Sequence, residues 1–419
     1  MQNNLTQSNQ PTSFQGLGIA PKLLAVLTHN KFIQPTPIQH QAIPAGIDGK
    51  DVVGIAQTGT GKTLAFGIPM LQRLGRIHKG KMGLVVLPTR ELAQQVDETL
   101  QQIGRSLGIR TTVLIGGEPQ QRQIRSLRAH PHVIIATPGR LVDHLQQRTV
   151  KLDQVAIFVL DEADRMFDMG FAPQLNKIIA HLPKPDQRQT MLFSATMPHA
   201  IMQIATKHMQ LPVRIEVAPA GTSSEQVEQE MIIVKKEKKR EVLEKLLNEY
   251  RGTVLVFSRT KHGAKKITRD IHALGHHVAE IHSNRSLAQR REALAGFKSG
   301  KYRVLVATDI AARGIDVHNI ELVINFDLPD NSEDYVHRIG RTGRAGNTGR
   351  AISLATPDQK RDIRDIERLI RKTLQVTNTL STAEQAAPQA FAPSRGNRSR
   401  PPRSRRPFRT SSSRGRGRR

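Results

Sequence analysis

The chain has 419 residues and carries 63 Lys and Arg against 36 Asp and Glu, a formal charge of +27. It contains no Cys, which excludes a disulfide framework, a thiolate zinc site and a cysteine nucleophile. No apolar run approaches the ~18 residues of a membrane span, and the polar start MQNNLTQSNQ lacks the features of a signal peptide, so we expect a cytoplasmic protein with no membrane partner. The positive excess favours a polyanionic partner, RNA or DNA, over the alternative of a generally basic protein.

Short apolar runs alternate with amphipathic helical patterns, such as those of residues 90–107 and 261–274. The runs are rich in Val, Ile and Leu, which is typical of strands buried on both faces of a parallel sheet. The alternation predicts an α/β fold with open parallel sheets. The predicted strands are Val52–Ala56, Gly83–Leu87, Thr111–Ile115, Val133–Ala136, Val155–Leu160, Thr190–Phe193, Thr253–Phe257, Val278–Ile281, Arg303–Ala307, Leu322–Asn325 and Ala351–Leu354.

The length and the composition predict two domains between two polar ends. Residues 1–10 are expected to be a disordered N-terminus, 11–218 a first α/β domain and 229–375 a second one. The segment APAGTSS lies at the centre of a linker zone, 212–230, within which we predict the linker itself for residues 219–228. Residues 376–419 are expected to form a disordered tail, because a segment rich in Arg, Gly, Ser and Pro cannot bury enough apolar surface to fold.

The strongest local signal is AQTGTGKT, between a predicted strand and a predicted helix. Glycines let backbone N–H groups point at phosphate oxygens, and a helix N-terminus adds positive potential. Lys62 would reach the β- and γ-phosphates, and the Thr63 hydroxyl would bind Mg²⁺. Ala56 departs from the pattern, which begins with Gly; the alternative of a flexible turn is disfavoured by the strand–loop–helix context. The nucleotide-binding residues expected here are Ala56, Gln57, Thr58, Gly59, Thr60, Gly61, Lys62 and Thr63.

A second signal, VLDEAD, ends an apolar strand at residues 159–164. The carboxyl ends of strands in open α/β sheets face the ligand crevice. Asp161 is expected to hold Mg²⁺, and Glu162 to orient or deprotonate the attacking water. An acidic turn alone is usually a solvated loop, but together with the phosphate-binding loop it predicts an NTPase.

The third signal is HRIGRTGR in the second domain, residues 337–344. Guanidinium groups stabilise the charge that builds up on a transferring phosphoryl group. Arg341 and Arg344 are three residues apart and are candidates for this role. An arginine-rich loop that binds RNA phosphates is the alternative.

Together these motifs resemble the DEAD-box family of ATP-dependent RNA helicases, over residues 14–374. The resemblance implies two tandem RecA-like domains, ATP with Mg²⁺, and a largely sequence-independent RNA partner. FIQPTPIQ at residues 32–39 resembles the family's Q motif, in which Gln39 reads adenine and the aromatic rings of Phe14 and Phe32 contribute to the site. Asp316 is implied at the ATP ribose.

The same resemblance assigns the remaining motifs. SAT at residues 194–196 looks like the element that couples hydrolysis to strand separation, so Asp164, Ser194 and Thr196 are implied as coupling residues. Asp309 and Gly314 are implied near the catalytic cleft. Arg341 and Arg344 become paired arginine fingers. The implied RNA-backbone contacts are Pro88, Thr89, Arg90, Gly116, Gly117, Thr137, Gly139, Arg140, Arg259 and Thr308.

Two residues depart from the family pattern. Lys31 stands where the family usually has Gly before the Q motif, and Leu287 stands in place of the Gln of a Gln-x-x-Arg element that ends at Arg290. Since Leu cannot donate to phosphate, that contact is in doubt. The compact core with a short arginine-rich tail is similar to RhlE-type bacterial enzymes, and precursor ribosomes or RNA-degradation machinery are candidate partners.

Two other functions stay open at this point. The first is an RNA-annealing or scaffold protein in which the arginine-rich tail does the main work. The second is a DNA-translocating helicase with a related core, against which DEAD and the Q motif argue.

Overall fold

The computed structural model describes residues 13–57, 59–76, 80–217, 227–312, 317, 320–343 and 349–378. Within these ranges the strands form two seven-stranded sheets, and every strand pairing is parallel. The predicted fold of two tandem α/β domains is confirmed. Of the remaining predicted features, the N-terminus 1–10 and most of the linker and the tail lie outside the described residues.

The first sheet has the strand order β3-β4-β2-β5-β6-β1-β7. Its strands are β1 (Val52–Ile55), β2 (Met82–Val86), β3 (Thr111–Leu114), β4 (Val133–Ala136), β5 (Val155–Asp161), β6 (Gln189–Ser194) and β7 (Val213–Glu216). Its helices are α1 (Pro21–His29), α2 (Pro37–Ile47), α3 (Lys62–Leu74), α4 (Arg90–Gly104), α5 (Gln120–Arg128), α6 (Pro138–Gln146), α7 (Ala163–Asp168), α8 (Ala172–Ala180) and α9 (His199–His208).

Alternate residues of each central strand enter different hydrophobic cores. In β5, Ile157 and Val159 belong to one core, whereas Phe158 and Leu160 belong to the other. The side chains of a strand point alternately to the two faces of its sheet, so a strand covered by helices on both faces is apolar throughout. This burial explains why the sequence shows continuous apolar runs here.

The second sheet repeats this architecture with the order β10-β11-β9-β12-β13-β8-β14. Its strands are β8 (Val227–Ile233), β9 (Val254–Phe257), β10 (Val278–Ile281), β11 (Val304–Ala307), β12 (Leu322–Asn325), β13 (Gly349–Ala355) and β14 (Gln375–Asn378). Its helices are α10 (Lys239–Glu249), α11 (Lys261–Ala273), α12 (Leu287–Lys298), α13 (Asp309–Ala312), α14 (Ser332–Ile339) and α15 (Lys360–Ile370).

Three strands were not predicted from the sequence: β7, β8 and β14. β7 and β14 are edge strands, and β8 alternates buried and exposed residues at its start, so none is a continuous apolar run. The predicted limits of the linker and of the tail shift accordingly. β8 begins inside the predicted linker, at Val227, and β14 pairs with β8 across the position where the tail was expected to begin. No helix in the described ranges is both long and apolar enough to cross a bilayer.

Gly54 in β1 is a position where packing requires glycine. A Cβ atom there would lie 2.5 Å from the Phe193 ring and 3.3 Å from Ile38. We therefore expect Gly54→Ala to overpack this core and to cost about 1–3 kcal/mol of unfolding free energy, measured by urea denaturation. Gly139→Ala in α6 is the matched control, because a Cβ there meets no atom within 4 Å. A Gly54→Ala protein that unfolds at the wild-type urea concentration would contradict this packing account.

Candidate functional site

The loop between β1 and α3 wraps around the side chain of Lys62. Gly59 and Gly61 adopt φ of 87° and 85°, in the left-handed region that favours glycine. The buried Lys62 Nζ donates to the Ala56 carbonyl at 2.9 Å and lies 4.0 Å from Asp161 Oδ1. The predicted loop residues are therefore assembled at a helix N-terminus, which is an anion-binding geometry. Thr58 lies outside the described residues.

A cluster of buried acidic groups lies at the carboxyl end of β5. Asp161, Glu162 and Asp164 are each at most 4% exposed. Burial raises the pKa of Asp161 to about 6, although the nearby Lys62 ammonium opposes the rise. Glu162 has φ of 54°, an uncommon conformation for a non-glycine residue, and accepts a hydrogen bond at 3.2 Å from the buried guanidinium of Arg165. We call Asp161, Glu162 and Asp164 the carboxylate cluster.

Asp164 joins the ends of β5 and β6. Its Oδ2 accepts hydrogen bonds from the Ala195 and Thr196 backbone N–H groups, both at 2.9 Å, and from the Thr196 hydroxyl at 3.2 Å. Its own N–H donates to Ser194 Oγ at 3.1 Å. Burial alone would raise the pKa of Asp164, but the neighbouring Lys62 and Arg165 charges hold it below its usual value. The structure thus brings together the three residues implied for coupling.

The Q-motif glutamine contacts the phosphate-binding loop directly. Gln39 is 3% exposed; its Nε2 donates to the Gly61 carbonyl at 2.9 Å, and its Oε1 accepts from the Thr36 N–H at 2.9 Å. Phe32 is half-buried, whereas Phe14 is buried inside the hydrophobic core of the first domain. In this structure Gln39 therefore braces the loop, and Phe14 packs as a core residue.

The second domain presents the end of α14 to the carboxylate cluster. Arg341 is 4% exposed, and its Nε donates to the His337 carbonyl at 3.2 Å. Burial and then the Arg165 charge hold the pKa of His337 below its usual value. His337 in turn contributes to the low pKa of Asp164, which places the two domains in electrostatic contact at this point. Asp316, Gly314 and Arg344 lie outside the described residues.

Two buried arginines were missed by sequence reasoning. Arg338 is 1% exposed; it donates to both carboxylate oxygens of Asp309 and lies 5.0 Å from the centre of the Phe257 ring. In the first domain, the buried Arg165 likewise forms an ion pair with an acidic residue, Glu162. The only signal in the sequence is that Arg338 lies within the motif HRIGRTGR and Arg165 directly follows VLDEAD, which does not distinguish a buried arginine from an exposed one.

The predicted RNA-contact residues of the first domain gather where β2, β3 and β4 end. Arg90 lies against the glycine pair, since a Cβ at Gly117 would be 2.4 Å from its guanidinium. The Thr89 hydroxyl caps α4 by accepting from Leu92 N–H at 3.3 Å. Arg140 donates to the Glu118 carbonyl at 3.2 Å. The same edge carries Pro88, Gly116, Thr137 and Gly139.

The predicted RNA-contact residues of the second domain follow the carboxyl ends of β9 and β11. Arg259 donates to the Leu328 carbonyl at 3.2 Å and pairs with Asp330 at 3.3 Å. Thr308 begins the turn into α13. Both domains therefore place their candidate RNA contacts at equivalent ends of their sheets, where ligands of open α/β sheets bind.

Helix α12 of the second domain docks on the first domain. Arg290 forms an ion pair of 2.8 Å with the buried Glu91, and Arg291 donates to Gln94 at 3.1 Å. Leu287 is 5% exposed and packs in the hydrophobic core of the first domain. At the position where the family has Gln, this chain therefore makes an apolar contact between its domains.

The comparisons with known proteins agree with this architecture. The DEAD/DEAH box helicase family model matches residues 36–204, and the helicase conserved C-terminal domain model matches residues 237–346. The DEAD-box ATP-dependent RNA helicase CshA of Geobacillus kaustophilus is 42% identical over 365 residues, covering 87% of this chain and 78% of that protein. The ATP-dependent rRNA helicase RRP3 of Scheffersomyces stipitis is also 42% identical, with 87% and 75% covered. S. cerevisiae Dbp5 bound to RNA and ADP BeF3 is 30% identical and superposes with a TM-score of 0.79, over 89% of this chain and 97% of that one.

The fold and the site define a two-domain P-loop ATPase whose cleft is lined by both domains. The chain belongs to the DEAD-box family of ATP-dependent RNA helicases.

The contact made by Leu287 generates a direct prediction. Burying a leucine is worth about 1.5–3 kcal/mol, and every 1.4 kcal/mol changes an equilibrium tenfold. Leu287→Ala is expected to weaken RNA binding in the presence of a non-hydrolysable ATP analogue by about tenfold, measured by fluorescence anisotropy. Leu287→Met keeps the apolar volume and serves as the control. Unchanged RNA affinity in Leu287→Ala would show that this contact does not stabilise the docking of α12 on the first domain.

Proposed function

We propose that this protein hydrolyses ATP only when bound RNA has brought its two domains together, and that this closure separates short RNA duplexes. The observation that carries the proposal is the carboxylate cluster, which is buried beside Lys62 of its own domain and is faced by His337 of the other. Charges so deeply buried are costly unless neighbouring groups compensate them, and here such neighbours come from both domains. Hydrolysis would therefore depend on closure.

Each group of the first domain has a separate task in ATP binding. Lys62 and the backbone N–H groups of the loop hold the phosphates, and Gln39 with Phe32 reads the adenine. The Gln39–Gly61 hydrogen bond supports this, because it links the base-reading motif to the phosphate loop. Glu162 holds and deprotonates the attacking water, and the strained backbone at this residue fits a functional constraint. Asp316 of the second domain completes the site at the ribose.

The donor set fits a Mg²⁺ ion that arrives with ATP. Asp161 is a desolvated carboxylate at the end of β5, and the Thr63 hydroxyl follows Lys62 in the first turn of α3. Within the described residues no three His, Asp or Glu side chains form a metal cage, and Mg²⁺ usually binds through one or two carboxylates and substrate phosphates. When bound, the ion would neutralise charge on the phosphate oxygens. Asp161 and Thr63 would hold it.

The second domain supplies positive charge to the reacting phosphate. Arg341 and Arg344 act as the arginine fingers of the site. Arg338 positions them, since its ion pair with Asp309 fixes the end of α14. Asp164, Ser194 and Thr196 couple the state of the ATP site to RNA binding, because the hydrogen bonds of Asp164 connect the turn after β5 to the end of β6.

RNA binds across both domains through its backbone. Arg90, Arg140, Arg259 and the hydroxyl and amide groups around them contact phosphate and sugar, which predicts little sequence preference. Closure bends one strand, so that a short duplex loses base pairs locally. The arginine-rich tail adds a sequence-independent tether.

We further propose a bacterial, RhlE-like subtype that acts in the cytoplasm. The small core with its arginine-rich tail supports this subtype, and one relative named above comes from a bacterium. Precursor ribosomes are a candidate substrate, since another relative is named as an rRNA helicase. RNA-degradation machinery is a candidate partner. Sequencing of RNA crosslinked to the protein in cells tests both.

Two variants test the ATP site. Lys62→Ala and Glu162→Gln are expected to reduce RNA-stimulated ATP hydrolysis by about 10³-fold or more while RNA binding persists, measured by phosphate release and by anisotropy. Lys245→Ala and Glu249→Gln, both on exposed positions of α10, are the matched controls. Full ATPase activity in Glu162→Gln would sink the assignment of the general base. Stimulation by DNA as strong as by RNA would favour a DNA helicase instead.

A further inference from the structure

We propose that the outer face of α5 is a second RNA-backbone contact, which holds RNA that flanks the strand bound in the cleft. Three exposed arginines of α5 and two exposed arginines beside its carboxyl end form this surface, which we call the α5 strip: Arg122, Arg125, Arg128, Arg105 and Arg110. None of them is among the contacts assigned to the cleft. The proposal rests on the RNA helicase activity of the family and adds a surface to it.

The helix directs its arginines outward. Arg122, Arg125 and Arg128 recur at three-residue spacing, so they lie on one side of α5. The opposite side faces the domain, where Gln123 is buried and donates to the Ile115 carbonyl at 2.8 Å. At 1.5 Å per residue, the charges from Arg122 to Arg128 extend along ~9 Å of α5, enough to follow successive phosphates of a strand.

The strip is not neutralised by the protein. In the described part of the chain, Arg105, Arg122, Arg125 and Arg128 form no ion pair with any acidic side chain. Like charges three residues apart on a helix repel one another. The contrast is α15, where Arg368 pairs with Asp365 at 3.0 Å. An unpaired row of guanidinium groups is suited to a polyanion, and guanidinium binds phosphate with two parallel hydrogen bonds.

A shallow cavity extends the strip beyond the end of α5. It has a volume of about 330 Å³ and is lined by Arg105 and Arg110 together with the side chains of Thr111 and Ser126. Arg110 is held in place by donating to the His130 carbonyl at 3.0 Å. Both hydroxyl groups already donate within the protein, Thr111 to Asp97 and Ser126 to the Arg122 carbonyl, so the arginines are the phosphate donors of this cavity.

The position of the strip indicates which RNA it meets. α5 begins three residues after Gly117. In the loop between them, the Glu118 carbonyl accepts a hydrogen bond from Arg140. Gln120 at its first turn also donates to Gln147 at the end of α6, at 2.7 Å. The strip thus continues outward from the edge that carries the RNA contacts of the first domain. RNA leaving the cleft along this edge would run onto α5.

The test compares two RNAs and two triple variants of the full chain. One RNA is a single strand too short to leave the cleft, and the other carries a duplex next to the same strand. The variant Arg122→Ala/Arg125→Ala/Arg128→Ala is measured by anisotropy over a series of salt concentrations. The control, Arg361→Ala/Arg364→Ala/Arg368→Ala, removes the same charge from α15, where Asp362, Asp365 and Glu367 intersperse the arginines.

We expect the α5 variant to bind the duplex-bearing RNA about 10–100-fold more weakly, with a salt slope smaller by about 3, because three phosphate contacts are lost and each adds about 0.9 to that slope. Its affinity for the short strand and its ATPase rate at saturating RNA should match those of the control. Arg→Lys at the same three positions should retain the slope, which separates a charge effect from a folding defect.

Three results would overturn the proposal. The first is equal affinity of the α5 variant and the α15 control for the duplex-bearing RNA. This result would indicate that the strip binds an acidic protein surface instead of RNA. The second is an equal loss for both RNAs, which would move the contact into the cleft. The third is loss of the salt slope in the Arg→Lys variant. If only the stimulation of ATP hydrolysis by the short strand were lost, the result would instead count against the proposed RNA-binding site in the cleft.

Discussion

The structure depends on burying three carboxyl groups within four residues of chain. Asp161, Glu162 and Asp164 lose most of their hydration, so positive groups must be brought to them. Lys62 and Arg165 supply part of this charge, and the N–H groups of the Ala195–Thr196 turn supply hydrogen bonds. The phosphate-binding loop, the end of β6 and the carboxyl end of β5 are therefore fixed relative to one another by a single electrostatic requirement.

The second domain approaches the carboxylate cluster from across the cleft. His337 lies close enough to contribute to the low pKa of Asp164, and burial favours its neutral form. Arg338 is neutralised inside its own domain by Asp309. The next arginine along the chain is Arg341, which we propose as an arginine finger. On the RNA side, the Arg290–Glu91 ion pair and the buried Leu287 join the domains by one charged and one apolar contact. The cleft thus depends on domain contact at both ends.

The sequence was sufficient for the fold class and for most strands, because burial on both sheet faces leaves continuous apolar runs such as Val155–Leu160. It was insufficient for β7, β8 and β14, whose edge or half-exposed positions admit polar residues. Motif spacing located the site residues, and their roles stay predictions. The burial of Arg165 and Arg338, the Gln39–Gly61 bond and the packing of Leu287 could not be predicted, since each depends on residues distant in sequence.

The central claim is that the carboxylate cluster and domain closure depend on each other. Because the chain has no Cys, dyes can be placed uniquely at Glu98→Cys and Lys298→Cys, which line the same groove from opposite domains. Single-molecule energy transfer should show the short distance only when RNA and a non-hydrolysable ATP analogue are both present. Asp164→Asn, which disturbs the bonds to Ala195 and Thr196, should depopulate that state under the same conditions. Closure of Asp164→Asn to the wild-type extent would contradict the account.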